Sequence, residues 1–513
     1  MFPTLLFDNE VFQPGAIQSR ALKVASGLER MGVRGGDVVA MMLRNEPAAI
    51  EVILAARHLG AYWCGLNWHF KAAEARWVLE DSRAKVLVIH SDLWEVIAEG
   101  IPPTVQVLVV TPQPLTRQQF GIGLNAPAAI AGMFEWNAWV ERQPESSEPA
   151  GAQRGFMPYT SGTTGRPKGV KRIATEPAKV EAQVQAAAQV SKAVFGIQQD
   201  SRCLLAAPLY HSAPASYATF CAQAGATLRL EPRFDAERLL ALIEQDRTTH
   251  LYLVPTMYQR LLKIPKEVRD RYDVSSVQFV ASTGSPCPPQ VKQSMIDWWG
   301  PVIHEAYASS ETGYVTFITA QEWLQHPGSA GRPIGPAVLK IFGDDGQPKL
   351  TGEIGTIYAR QPAFPDFEYA NNFEARDAME LDGLVTLGDM GYVDPQGYLF
   401  ICDRKSDMVI SGGVNIYPAE IEAVLTAMPA IDDCAVFGVP DEEWGEALAA
   451  AVQVRDNCIL TEQEVREFLR ARLAGYKVPK IIAFHAKLPR EDTGKIFKRK
   501  LRAPYWEGTG RSI

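Results

Sequence analysis

Three stretches of strand length in the first 110 residues are apolar almost throughout: DVVAMML (37–43), KVLVIH (85–90) and VQVLVV (105–110). A strand with one wet face alternates apolar and polar residues, so a continuous apolar run demands cover on both faces. The intervening segments supply it. RALKVASGLERMG puts Ala21, Val24, Ala25, Leu28 and Met31 on one helical face, and AAIEVILAARHLG reads as a second helix that stops at Gly60. This alternation predicts a parallel sheet between helical layers.

A polar, Pro/Gly/Ser-rich loop follows, RQPESSEPAGAQRG (142–155), and the rhythm then resumes with strands near 203–208, 226–231, 250–254 and 277–282. From about residue 335 the texture changes: IFGDDGQP and YVDPQGYLFI are turn-plus-strand signals of a β-rich segment. Near 405 it changes again. PAEIEAVLTAM (418–428) reads as a helix with proline in its first turn, CAVFGV and LAAAVQV as strands, and Thr461 with Glu464 as a capping box. The expected fold class is α/β, with a large N-terminal domain of α/β layered subdomains plus a β-rich subdomain. The last ~110 residues form a small α+β C-terminal domain of ordinary size.

A net charge of −8 over 513 residues argues against a broad nucleic-acid-binding face. Seven cysteines, none in a C-x-x-C pair, fit reduced thiols in a cytoplasmic protein better than disulfides or a zinc site. The start, MFPTLLFDNE, carries no basic leader, and no apolar run reaches the ~18 residues of a membrane span.

YTSGTTGRPKGV (159–170) exposes backbone N–H groups and hydroxyls with few bulky side chains, and one lysine adds a point charge. That composition suits a phosphate cradle; alone it suits a surface turn equally well. It is not a Walker loop, because Gly169 follows Lys168 where a metal-binding hydroxyl would be needed. YASSETG (307–313) sets two hydroxyls and Glu311 after a strand end. A carboxylate sharing a site with triphosphate usually does so through Mg2+; alone, Glu311 reads as a solvated loop residue. Asp389 and Arg404 lie near the domain boundary, where an acid can bind ribose hydroxyls. PREDTGKIFKRKLR (489–502) places Lys495 after a glycine turn, or else is an exposed basic tail.

Together, in this order and spacing from about residue 15 to 502, these four segments resemble the adenylate-forming superfamily of acyl-CoA synthetases, peptide-synthetase adenylation domains and beetle luciferases. ISGGVNIYP, GVPDEEWGE (438–446) and PLYHSAP (208–214) are similar to the fatty-acid and related acyl-CoA ligases. Tyr210 and His211 stand where amino-acid-activating domains carry a Phe-Asp pair, so the aspartate that holds an α-amino group is absent.

The resemblance implies a two-step ligase: a carboxylic acid and ATP give acyl-AMP and pyrophosphate, then the thiol of coenzyme A takes the acyl group and AMP leaves. Thr160, Ser161, Gly162, Thr163, Thr164, Gly165 and Lys168 would hold the β,γ-phosphates, Ser310 the α-phosphate and Glu311 the Mg2+. Gly284, Ser285 and Pro286 with Tyr307 would flank adenine, and Asp389 and Arg404 would bind ribose. Lys495 would bridge the carboxylate and the α-phosphate, and His211 would gate the acyl and CoA tunnels. Gly412 and Gly413 would give the pantetheine arm room.

The resemblance also implies a mobile C-terminal domain: 1–404 and 407–513 turn about a hinge at Lys405 and Ser406, one pose delivering Lys495 and the other opening the CoA path. Against the family pattern, Ala308 replaces a glycine, Ser310 a threonine, and neutral Ser406 a charged hinge residue. Segment 209–221, with Tyr210, Ser212 and Tyr217, would line the acyl pocket. Its small residues suggest a medium-to-long or bulky acid. Two neighbouring activities share the first half-reaction, loading of a carrier protein and luciferase-like oxygenation; the paired glycines argue against the second. No membrane span and no nucleic-acid partner are expected, and a homodimer fits the family's habit.

Overall fold

The computed structural model describes residues 1–123, 130, 133–146, 149, 154–160, 167–372, 374–412, 414–490 and 496–507. The apolar runs pair as foreseen. Tyr62–Gly65, Val38–Met42, Ala84–His90, Gln106–Val110 and Phe134–Glu135 lie side by side, all parallel. Successive side chains of a strand point to opposite faces. Val39, Met41, Val86 and Val88 therefore join one core with the helices Pro14–Arg30 and Pro47–His58. Val38, Ala40, Met42, Leu87 and Ile89 join a second core with the helix Ala72–Ser82. One continuous apolar strand thus feeds two cores.

A nine-stranded sheet carries the second α/β layer. Its order is Arg332–Pro333, Gly313–Ile318, Ile303–Ser309, Phe279–Ser282, His250–Leu253, Arg202–Leu205, Thr227–Leu230, Thr4–Phe7 and Glu10–Phe12. The strands from Ile303–Ser309 across to Thr4–Phe7 are parallel, and antiparallel strands close both edges. The N-terminal strand is absent from the sequence reading: Thr4–Phe7 pairs with Thr227–Leu230, a partner more than two hundred residues away.

Tyr159–Thr160 and Lys168–Arg172 form a hairpin that is extended by Phe367–Tyr369. The β-rich segment is a five-stranded antiparallel sheet, including the hairpin Leu384–Val393 with Leu399–Arg404. In the C-terminal domain Ile431–Asp441 pairs with Gly445–Val454, which also takes Ile481–His485 in parallel. Helices Pro418–Thr426 and Glu462–Arg470 pack on one face, and Lys498–Trp506 on the other. Thr461 and Glu464 form the expected capping box. All seven cysteines are free, and among the described residues no helix is long and apolar enough to cross a membrane.

Candidate active site

In a parallel sheet, ligands gather beyond the C-terminal ends of the strands, where the loops converge. Three loops of the large sheet sit there. After Arg202–Leu205 the chain reaches Tyr210 and His211; His211 is the N-cap of the helix Ser212–Ala224. After Phe279–Ser282 come Gly284, Ser285 and Pro286, with Gly284 at φ +95°. After Ile303–Ser309 come Ser310 and Glu311. Their tight turn is shaped by Ser309, whose Oγ accepts from the N–H groups of Glu311 (3.1 Å) and Thr312 (2.9 Å).

Glu311 is buried, 8% exposed, so its carboxylate needs partners. Tyr369 donates its hydroxyl to Glu311 Oε1 at 3.0 Å, and Thr160 reaches the same oxygen at 3.5 Å. Lys168 Nζ stands 5.1 Å from the centre of the Tyr369 ring. Arg172 donates to the carbonyl oxygens of Ser310 (2.6 Å), Glu311 (2.7 Å) and Pro365 (2.9 Å). The hairpin is also tied to the helix Ala72–Ser82: Tyr159 donates to Asp81 Oδ2 at 2.7 Å and Trp77 to the Pro167 carbonyl at 3.0 Å. Residues 161–165 of the phosphate loop lie outside the described residues.

A second carboxylate sits next to the first group. Asp389 and Arg404 face each other across antiparallel strands, with Arg404 Nε 3.4 Å from Asp389 Oδ1. Tyr307 donates to Asp389 Oδ2 at 2.6 Å. Burial, then the Asp389 carboxylate, pushes the Tyr307 phenol well above its ordinary range, so it remains a neutral donor. Ser310 Oγ donates to Ser212 Oγ at 3.1 Å, which joins the Glu311 turn to the helix after His211.

Tyr210 packs edge-on against Trp68, ring centres 4.7 Å apart, and against His211 at 4.3 Å. Gly65 makes room for it: a Cβ there would come within 2.6 Å of the Tyr210 Cα. Tyr217 is fully buried, edge-on to Phe195 at 5.3 Å. Lys405 and Ser406 occupy a turn after Leu399–Arg404. Lys405 N donates to the Gly388 carbonyl at 2.6 Å and Lys405 Nζ to Asp344 at 2.5 Å. Ser406 O instead accepts from Arg502 at 3.2 Å.

Gly412 stands apart from the Glu311 network. It lies in the small domain at φ +57°, against Trp444, where a Cβ would come within 2.5 Å of the indole. Gly413 and Lys495 lie outside the described residues.

Among the described residues no three or more His, Cys, Asp or Glu side chains gather as a ready-made metal cage. Glu311 offers one carboxylate with hydroxyls around it. That donor set fits Mg2+, which takes oxygen ligands and shares them with substrate phosphates. Tyr369 and Arg172 are contributions that sequence reasoning missed. A signal for Arg172 exists: the period of two puts it on the side of fully buried Val170, a cation where an apolar residue is expected.

The AMP-binding enzyme family model matches residues 15–364, and the AMP-binding enzyme C-terminal domain model matches residues 420–495. The chain is 32% identical over 494 residues to the long-chain-fatty-acid–CoA ligase FadD13 of Mycobacterium tuberculosis, covering 94% of this chain and 91% of the relative. It is 34% identical over 491 residues to a feruloyl-CoA synthase of an Amycolatopsis species, covering 95% and 92%. Among solved structures, ATP-bound MatB of Rhodopseudomonas palustris superposes with a TM-score of 0.83 at 26% identity, over 98% of this chain and 96% of that one.

Proposed function

Because the chain belongs to the AMP-binding enzyme family, as an adenylate-forming acid–CoA ligase, we propose that it activates a bulky hydrophobic carboxylic acid, fatty or aryl, for transfer to coenzyme A. The observation that supports this reading is a pair of neighbouring polar groups around the strand Ile303–Ser309 and the turn after it. Thr160 and Tyr369 meet at Glu311, Tyr307 and Arg404 meet at Asp389, and Ser310 links the turn to the helix behind His211. We assign phosphate, ribose and acid to these groups because ligands of such folds gather where strand ends and loops converge.

In the first half-reaction a carboxylate oxygen attacks the α-phosphorus, the bond to the bridging oxygen breaks, and pyrophosphate leaves. Both reactants are anions, so the protein's task is positioning and charge neutralisation. Thr160 and Lys168, with residues 161–165, hold the β,γ-phosphates; Ser310 holds the α-phosphate. Asp389 and Arg404 bind the ribose, while Gly284, Ser285, Pro286 and Tyr307 flank adenine. Glu311 holds Mg2+, which neutralises charge on the triphosphate when bound. Lys495 bridges the acid and the α-phosphate. In the second half-reaction the CoA sulfur attacks the acyl carbon and AMP leaves, with Gly412 and Gly413 on the thiol's path and His211 at the gate.

The two steps need different arrangements, and the junction supports a hinge between 1–404 and 407–513. Lys405 is anchored to the large domain through Gly388 and Asp344, while Ser406 is held by Arg502 of the small domain's last helix. The anchors change sides between two consecutive residues, where a few backbone angles can carry a rotation. Helix Ser212–Ala224, with small residues before Tyr217 and Phe220, supports a bulky acid. A cytoplasmic location follows from the need for ATP and CoA.

The test is pyrophosphate release with a panel of carboxylic acids, followed by AMP release on adding free CoA or a holo-carrier protein. The reading predicts acid-dependent pyrophosphate release strongest with bulky apolar acids and AMP release with free CoA. Acetate as the best substrate, or transfer only to the carrier, would refute the corresponding part.

A further inference from the structure

We propose that Arg172 is a positioning residue for nucleotide binding: it holds the turn bearing Ser310 and Glu311 in register with the phosphate-loop hairpin. The inference rests on the roles proposed above for those two residues.

Its guanidinium reaches three carbonyl oxygens on two separate segments, those of Ser310, Glu311 and Pro365, at 2.6, 2.7 and 2.9 Å. Arg172 itself closes the strand Lys168–Arg172, the outgoing arm of the phosphate-loop hairpin, and pairs with Phe367. One side chain therefore fastens the hairpin, the Glu311 turn and the segment before Phe367. The Ser309 hydroxyl caps the N–H groups of the same turn, so the turn is held from both polarities.

The choice of arginine is chemical. A guanidinium presents five donors in a rigid plane and can serve several acceptors at once; a lysine ammonium is a compact point charge. Burial pulls the Arg172 guanidinium down to about 10, with the Glu311 and Asp366 carboxylates opposing that fall. It therefore remains a cation at neutral pH. Its charge-assisted bonds are the strong kind, and their loss would leave buried carbonyls unpaired. The expected consequence is specific: Thr160 and Lys168 on the hairpin and Glu311 on the turn lose their common register, so the triphosphate loses affinity while the acid site beyond Ser212 is spared.

The experiment measures equilibrium binding of Mg·α,β-methylene-ATP, which cannot be adenylated, by calorimetry. Arg172→Lys should weaken binding about tenfold and Arg172→Ala more, as expected for losing one or more charge-assisted bonds. Added guanidinium should restore Arg172→Ala toward wild type and leave wild type unchanged. In turnover, KM for Mg·ATP should rise while KM for the acid stays put. If Arg172→Ala does not fold, Arg172→Lys carries the decision. Glu311→Gln, which keeps its backbone carbonyl, separates the two levels. Weak binding by Glu311→Gln with wild-type binding by Arg172→Lys overturns the inference alone. Wild-type binding by Glu311→Gln overturns the site assignment beneath it.

Discussion

The Tyr369 hydroxyl donates to Glu311 Oε1 at 3.0 Å, joining a strand that follows residue 366 to a turn that follows residue 309. Burial, then the Glu311 carboxylate, pushes the Tyr369 phenol above its ordinary range. It is therefore a neutral donor at any working pH, and its direction of donation is fixed. Tyr369→Phe should raise KM for Mg·ATP about tenfold, the scale of one hydrogen bond to a charged group. Initial-rate kinetics at varied Mg·ATP check this; an unchanged KM would remove Tyr369 from the support of Glu311.

Asp389 takes Tyr307 on one oxygen and Arg404 on the other. Asp389→Asn keeps the shape but loses the charge that holds Arg404. Adenylation with ATP should fall by about a hundredfold, because a buried charge-assisted group carries roughly 1.5–3 kcal/mol. A 2′-deoxy-ATP comparison is the check. Wild type should discriminate against it and Asp389→Asn should not; equal discrimination by both would place the ribose elsewhere.

Much of the fold was legible in the chain. Continuous apolar runs force two-sided cover, so the parallel sheets were readable, and the Thr461 capping box is local in sequence. The motifs holding Thr160, Glu311, Asp389 and Arg404 were legible as motifs, and the structure joins Thr160 to Glu311 and Arg404 to Asp389. What was not legible is long-range pairing. Thr4–Phe7 becomes a sheet strand by joining Thr227–Leu230, and Arg172 finds its acceptors 138, 139 and 193 residues away. Tyr369 meets Glu311 only because Phe367–Tyr369 pairs with the hairpin. None of these contacts has a local signature beyond a misplaced cation or a short apolar run.

The hinge proposal makes a kinetic prediction. Lys405 bonds to Asp344 and Ser406 to Arg502, so the proposed rotation would pass through their backbone angles. Ser406→Pro locks φ and should slow thioester formation from pre-made acyl-AMP about tenfold more than it slows adenylation. Single-turnover assays of the two halves decide; an equal drop in both would count against a hinge there.

The large sheet predicts its own acid sensitivity. His304 accepts the Ala320 N–H on Nδ1 at 3.2 Å and packs tilted against Phe279 and Phe317, ring centres 4.1 and 6.0 Å away. Burial, then the Lys292 charge, pulls its imidazole down to about 4 from 6.5. The unfolded chain therefore binds a proton that the folded chain refuses. Stability should be full above pH 6.5 and fall as the pH drops toward 4, by about 3 kcal/mol at most. Denaturant melts across this range, with His304→Asn as the non-titrating control, measure it; parallel pH profiles for both proteins would exclude His304 as the source.

In the proposed reaction one site makes an acyl-adenylate before CoA takes part, with Lys495 serving the first step. The most direct measurement is pyrophosphate release with ATP and a bulky carboxylic acid in the absence of CoA, run on wild type and Lys495→Ala. Wild type should release pyrophosphate only when acid is present, Lys495→Ala should lose that release, and Lys495→Ala should still form the thioester from pre-made acyl-AMP. Release that requires CoA, or equal loss of both half-reactions in Lys495→Ala, would contradict it.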